Sequence, residues 1–350
     1  MLIGICGGIC SGKKTVAQYL VDHHGFKPLH LDVPQGKRPL PSTASDSDDD
    51  DDKEPSRLPT NEKPKPAHYT FPTTDALLDF VTKRWRDRWV TTDVHNEAIL
   101  DLLSRRPFFI LVSVDAPLII RHRRFQAQPH RPNLSLEQFV SHSDAHLYHP
   151  ATGLQPLISR ATVRLLNTSE SLAHLYATLG KLDLANPDRL RPSWDSYFMS
   201  LASLAAQRSN CMKRRVGCVL VGRERRVIST GYNGTPRGLR NCAEGGCTRC
   251  NEANSSGVGL STCLCIHAEE NALLEAGRER IREGAVLYCD TCPCLTCSIK
   301  ICQVGISEVV YSQGYSMDND TATVFREAGV KLRQFSPPPN GLIHLERLDH

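Results

Sequence analysis

Twelve of the 14 cysteines lie between Cys211 and Cys302, and only Cys6 and Cys10 fall outside that stretch. Thiols this dense are held either by disulfides or by metal. The opening MLIGICGGIC carries no basic n-region and no cleavage pattern. It therefore predicts a cytosolic or nuclear chain, in which metal or redox chemistry comes before disulfides. No apolar run approaches membrane-spanning length, so no membrane partner is expected. The formal charge of +4 is mild and gives no sign of an obligate nucleic-acid binder. At 350 residues the chain is long for one domain, and the uneven cysteines mark where a second begins.

Two short motifs organise the cysteine-rich half. His267-x-Glu269 opens the helix-forming stretch HAEENALLEAG, and Pro293-Cys294-x-x-Cys297 heads CLTCSIKICQVGI. One imidazole and two thiolates are three ligands of a tetrahedral zinc ion and leave a fourth position for water, whose pKa the metal brings toward neutrality. A glutamate beside the metal but outside its shell can take the water's proton and pass it to a leaving amine. Both ligand groups begin helices, whose positive ends favour thiolates. Pro-Cys-x-x-Cys alone would equally suit a redox dithiol or half of a structural zinc site. Together and in this order, the two motifs match the signature of zinc-dependent nucleobase deaminases.

The likeness extends beyond the signature. SNCMKRRVGCVLV, GYNGTPRGLRNC, HAEENALLEAG, LYCDTCPCLTC and ISEVVYSQGY, spread over residues 192–335, together resemble the deoxycytidylate deaminases, in the fungal form that carries a P-loop-like N-terminal extension. The resemblance implies that His267, Cys294 and Cys297 hold a catalytic Zn²⁺, that Glu269 is the proton shuttle and that Asn233 contacts the nucleotide's sugar. It implies conversion of dCMP to dUMP and ammonia for thymidylate synthesis, activation by dCTP, inhibition by dTTP, and a homo-oligomer, often a hexamer. Lys213, Arg214 and Arg215 could meet a single 5′-phosphate. A polynucleotide substrate, RNA or DNA, is the alternative; it would want stacking aromatics along a basic channel, and this half is poor in tryptophan.

The other cysteines need their own account. Cys211, Cys242, Cys247, Cys250, Cys263 and Cys265 are six thiols at short spacings, which favour a second, structural Zn²⁺. The resemblance aligns Cys211, Cys242 and Cys265 with ligand positions in relatives that have such a site, and the fourth thiolate would come from Cys247, Cys250 or Cys263. Cys218, Cys289, Cys292 and Cys302 read as core or near-site residues.

The fold class expected here is α/β in two domains. Pro187 and Pro192 mark a junction, followed by a helix over residues 194–209 whose face Tyr197, Leu201, Leu204 and Ala205 lies against a sheet. RVGCVLVGRERRVISTGYNG reads as an antiparallel hairpin. SEVVYSQGY, NDTATVFREAG and VKLRQF read as strand, helix and strand, a crossover that joins parallel strands. Residues 192–335 thus form a cytidine-deaminase-like three-layer α/β/α domain with a mixed five-stranded sheet, and residues 336–350 a C-terminal tail.

Residues 1–185 form a parallel α/β domain. Gly7-x-x-x-x-Gly12-Lys13, between a short strand and a helix, has the spacing of a phosphate-cradling loop and resembles the P-loop of small-molecule kinases such as dephospho-coenzyme A kinase. Lys14 stands where Ser or Thr would hold Mg²⁺, with Thr15 one place late, so a relic or regulatory nucleotide-fold domain is expected rather than a working kinase. Residues 34–67, with the acidic run Asp48–Asp52, are too poor in large apolar side chains to order and read as a disordered insertion. A helix is expected near residues 74–86, with the tryptophans of RWRDRW buried. His142, His146 and His149 read as surface residues of a helix.

Overall fold

The computed structural model describes residues 1–32, 69–128, 131–169, 171–252, 258–259, 262–314 and 319–345. They divide into two units, Met1–Leu190 with residues 339–345, and Arg191–Pro338. The acidic stretch 34–67 lies outside the described residues.

The first unit alternates β1 (Leu2–Gly7), α1 (Lys13–His24), β2 (Lys27–Leu31), β3 (Tyr69–Phe71), α2 (Thr74–Lys83), β4 (Trp89–Thr91), α3 (Glu97–Ser104), β5 (Phe109–Asp115), α4 (Leu118–Gln126), α5 (Leu136–Tyr148), α6 (Gln155–Ser159), β6 (Val163–Leu166) and α7 (Leu172–Leu182). Its strands pair in parallel. Because side chains alternate across a strand, β1 sends Ile3 and Ile5 into a core with Val16, Leu20 and Leu179, from α1 and α7. Leu2 and Cys6 go to the other face, with Leu77 and Leu100 from α2 and α3.

Two expectations for this unit need correction. The stretch read as a C-terminal tail contains β12 (Gly341–His344), which pairs in parallel with β6; Ile343 and Leu345 are apolar and have their burial in that core. The helix expected through residue 86 ends at Lys83, so Trp85 falls on a turn and is 52% exposed, while Trp89 is buried in β4.

The second unit runs α8 (Trp194–Ala206), β7 (Gly217–Val221), β8 (Val227–Tyr232), α9 (Thr248–Asn251), α10 (Ala268–Ala276), β9 (Val286–Thr291), α11 (Leu295–Gln303), β10 (Glu308–Gln313), α12 (Asn319–Glu327) and β11 (Lys331–Gln334). Its sheet has the order β11-β10-β9-β7-β8, with β9, β10 and β11 parallel and β7 antiparallel to both neighbours. Alternation again makes two cores. Cys218, Leu220, Leu287 and Val309 face α10, α11 and α12, while Val219, Val221, Tyr288 and Val310 face α8. Three layers result.

Two glycines set how closely the helices lie. A Cβ on Gly217 would run into the carbonyl oxygen of Ala202 and the amide of Ala206 on α8. That close approach explains why the face of α8 against the sheet is Phe198, Met199, Ala202 and Ala206. The expected face was out of phase: Tyr197 and Leu204 are exposed. On the other side, a Cβ on Gly231 would strike the Ala268 carbonyl and the Ala272 amide of α10. Gly231→Ala must therefore push α10 off the sheet. The expected cost is about 1–3 kcal/mol, read as a lower urea midpoint with an unchanged slope.

Candidate active site

His267 is the N-cap of α10, in an extended conformation (φ −80°, ψ 158°), and Glu269 is the second residue of that helix. Cys294 is the N-cap of α11, again extended (φ −80°, ψ 169°), and Cys297 lies in its first turn. Two helix starts thus converge. The Nδ1 of His267 lies 3.3 Å from the Sγ of Cys294 and 3.4 Å from the Sγ of Cys297, and the three ligand atoms lie within 4.8 Å of one another. A tetrahedral zinc with one nitrogen and two sulfur ligands has N···S edges of about 3.6 Å, so the donor set suits zinc in both chemistry and spacing.

The three donors also compete for protons at close quarters, and a metal binding there would have to displace the ones they hold. A hydrogen bond from the Cys297 thiol, helped by His267, draws Cys294 down to about 3 despite burial, and the same bond with burial pushes Cys297 up. The Cys294 sulfur raises His267 to about 9 against the opposing effect of burial. Glu269 is 4% exposed, and burial pushes its carboxyl up to about 7. A carboxylate with raised proton affinity, two residues from the imidazole, can accept a proton and give it back.

Asn233 is buried next to β8 and is heavily engaged. Its Oδ1 accepts from the Ser209 hydroxyl (2.7 Å) and the Val216 amide (2.8 Å), and its Nδ2 donates to the Arg214 carbonyl at 2.6 Å. It therefore clamps the segment that carries Lys213, Arg214 and Arg215, and the described contacts use one of its two amide N–H groups. Sequence reasoning missed two residues. Ser209 holds Asn233 in place, and no motif flags it. Asp290, next to the Thr291 that ends β9, accepts from the Gly217 amide at 3.2 Å, and burial pushes it up to about 6. Its negative charge adds to the proton affinity of Glu269. An acidic residue ahead of the Cys-x-x-Cys was the available signal.

The six further thiols come together as well. Cys211, Cys242, Cys250 and Cys265 form one set within 4.8 Å, and Cys247, Cys250, Cys263 and Cys265 form another. All the cysteines are free. Cys218 and Cys289 face each other across β7 and β9 inside the core.

In the first unit, Gly7 ends β1, and Gly12 caps α1 with a left-handed φ of 106°. Any Cβ at Gly7 would strike the Val114 carbonyl. The Nζ of Lys13 donates to the Gly7 carbonyl at 3.4 Å, and Arg124 donates to the carbonyls of Cys10 (3.5 Å) and Ser11 (3.2 Å). Strand, turn and helix follow one another here. Lys14, the residue after Lys13, is exposed.

A family model of the cytidine and deoxycytidylate deaminase zinc-binding region matches residues 192–313. The deoxycytidylate deaminase of Schizosaccharomyces pombe is 48% identical over 340 residues, covering 97% of this chain and 99% of that protein. The deoxycytidylate deaminase of Saccharomyces cerevisiae is 44% identical over 347 residues, covering 96% and 97%. Among solved structures, the dCMP deaminase of cyanophage S-TIM5 in complex with dCMP and dUMP is 28% identical, covers 41% of this chain and 98% of its own, and has a TM-score of 0.34.

Proposed function

The chain belongs to the deoxycytidylate deaminase family, and from that membership we propose that it hydrolyses dCMP at C4 to dUMP and ammonia through the residues gathered at the starts of α10 and α11. The observation that carries the reading is the convergence of His267, Cys294 and Cys297 within ligand distance of one another, with a buried glutamate two residues from the histidine.

His267, Cys294 and Cys297 would hold a zinc ion, which when bound supplies the Lewis acidity that makes water nucleophilic near neutral pH. Glu269 takes a proton from that water and delivers it to N3 of the pyrimidine, and a further proton passes through the same carboxylate to the departing amine. Burial excludes bulk water around Glu269, so each of the two protons would pass by way of its carboxylate rather than through solvent. Asn233 holds the segment 213–215 and turns its remaining N–H toward the sugar, while Lys213, Arg214 and Arg215 offer positive charge to the 5′-phosphate.

Several finer features complete the reading. Cys211, Cys242 and Cys265 hold a structural zinc together with a further cysteine. dCTP activates, dTTP inhibits, and the subunits form a homo-oligomer, up to a hexamer. What supports regulation and assembly is the family resemblance. Gly7, Gly12 and Lys13 bind phosphate without transferring it, in keeping with Lys14. No helix among the described residues is long and apolar enough to cross a membrane. The family resemblance supports a cytoplasmic enzyme supplying dUMP for thymidylate synthesis.

Ammonia release from dCMP, with and without dCTP and dTTP, beside cytidine, CMP and single-stranded DNA as competitors, tests this directly. Turnover confined to dCMP and stimulated by dCTP is the expected result. Turnover of single-stranded DNA in place of dCMP, or of no substrate by zinc-loaded protein, would overturn it.

A further inference from the structure

The two tetrads of thiols outside the active site have Cys250 and Cys265 in common. We propose that the six cysteines bind two zinc ions rather than one, as a bridged centre in which the sulfurs of Cys250 and Cys265 are shared. Cys211 and Cys242 complete the shell of one ion, and Cys247 and Cys263 that of the other. This inference rests on the reading of these thiols as a metal centre and extends it from one ion to two.

The distances argue first. Sγ···Sγ separations are 3.8 Å for Cys211–Cys250, 3.9 Å for Cys247–Cys263, 3.7 Å for Cys250–Cys263 and 3.9 Å for Cys250–Cys265. A tetrahedron of thiolates about zinc has edges of about 3.8 Å, whereas a disulfide brings its sulfurs to about 2.05 Å. Edges from both tetrads meet this value, and the Cys250–Cys265 edge belongs to both. A single ion would take four thiols and leave two packed against it without a role.

The surroundings argue second. Hydrogen-bond donors reach the sulfurs assigned as terminal: the Met212 amide to Cys242 at 3.4 Å, the Leu264 amide to Cys247 at 3.4 Å, and the Asn251 amide nitrogen to Cys242 at 3.8 Å. A backbone amide thus reaches one terminal sulfur of each ion. Six thiolates with two divalent ions leave two negative charges. Arg249, 8% exposed, lies against them with its Nη1 3.8 Å from the Cys263 sulfur.

Placement gives the centre its purpose. The six sulfurs form a cluster of their own, separate from the two apolar cores of this unit. Among the described residues between β8 and α10, regular structure is limited to one short turn at Cys242–Glu244 and the four-residue α9, and metal ligation supplies folding energy in such segments. Cys265 stands two residues before His267, and Cys211 two before Lys213, so one centre fixes both the imidazole ligand and the basic segment.

The test is metal stoichiometry on full-length chain purified from zinc-supplemented culture, with dCMP deamination measured on the same preparation. Three zinc ions per chain are expected, one catalytic and two bridged. Cys263→Ser should lose one, and Cys250→Ser both of the bridged pair. Should the variants fail to fold, the wild-type chain exchanged with ¹¹³Cd still decides, because ions sharing a sulfur split each other's resonances. Two zinc ions per chain, or uncoupled cadmium resonances, would overturn the bridged centre and leave a single structural site. One zinc per chain, or iron in place of zinc, would overturn any structural zinc here, while deamination of dCMP would stand or fall separately.

Discussion

Glu269→Gln is expected to lower dCMP turnover by about 10²–10⁴-fold, the range a positioned general acid–base group contributes, with zinc content unchanged. The substitution keeps shape and removes proton transfer. Glu269 is the second residue of α10 and is buried at 4% exposure, so glutamine fits the same space and can still hydrogen-bond. It cannot take a proton from water. Ammonia release under single-turnover conditions, beside metal analysis, makes the comparison. A variant within about tenfold of wild type would show that another group moves the proton, and Asp290, whose carboxyl burial pushes up to about 6, would be the one to replace next.

The catalytic constellation could be read from sequence because each part is local. His267 and Glu269 are two residues apart, and Cys294 and Cys297 three apart, each pair at a helix start; only the convergence of the two helices had to be supplied by the fold. The six-thiol centre is different. Its spacings name the cysteines, but which sulfurs are shared depends on how Cys211, ahead of β7, meets α9, 39 residues further along the chain, at Cys250. No sequence period records that meeting. The same holds for β12, whose partner β6 lies far back in the chain. The phase of α8 failed for a finer reason: Tyr197 and Leu204 look like core residues, yet the bare backbone of Gly217 seats Ala202 and Ala206, which turns Phe198 and Met199 to the sheet and leaves Tyr197 and Leu204 exposed.

Cys297→Ala should abolish dCMP turnover to background and remove one zinc per chain. Cys297 is 1% exposed and offers one of three ligand sulfur or nitrogen atoms drawn from two separate helices. Two remaining ligands on opposite helices cannot close a tetrahedral site against solvent. Stability should fall too, because an ion that binds only the folded state stabilises it; at about a thousandfold over its dissociation constant the contribution is about 4 kcal/mol. Thermal unfolding with added zinc checks this, since excess metal should raise the midpoint of wild type far more than that of the variant. The pair of substitutions separates two roles that activity alone would merge. Both should be strongly impaired against dCMP, but Glu269→Gln is expected to keep its zinc and its thermal midpoint, whereas Cys297→Ala loses one zinc and lowers its midpoint. If Cys297→Ala kept its full zinc complement, the ligand assignment at α11 would be wrong. The zinc would then be held by other residues, and the place of Glu269 beside it would have to be argued afresh.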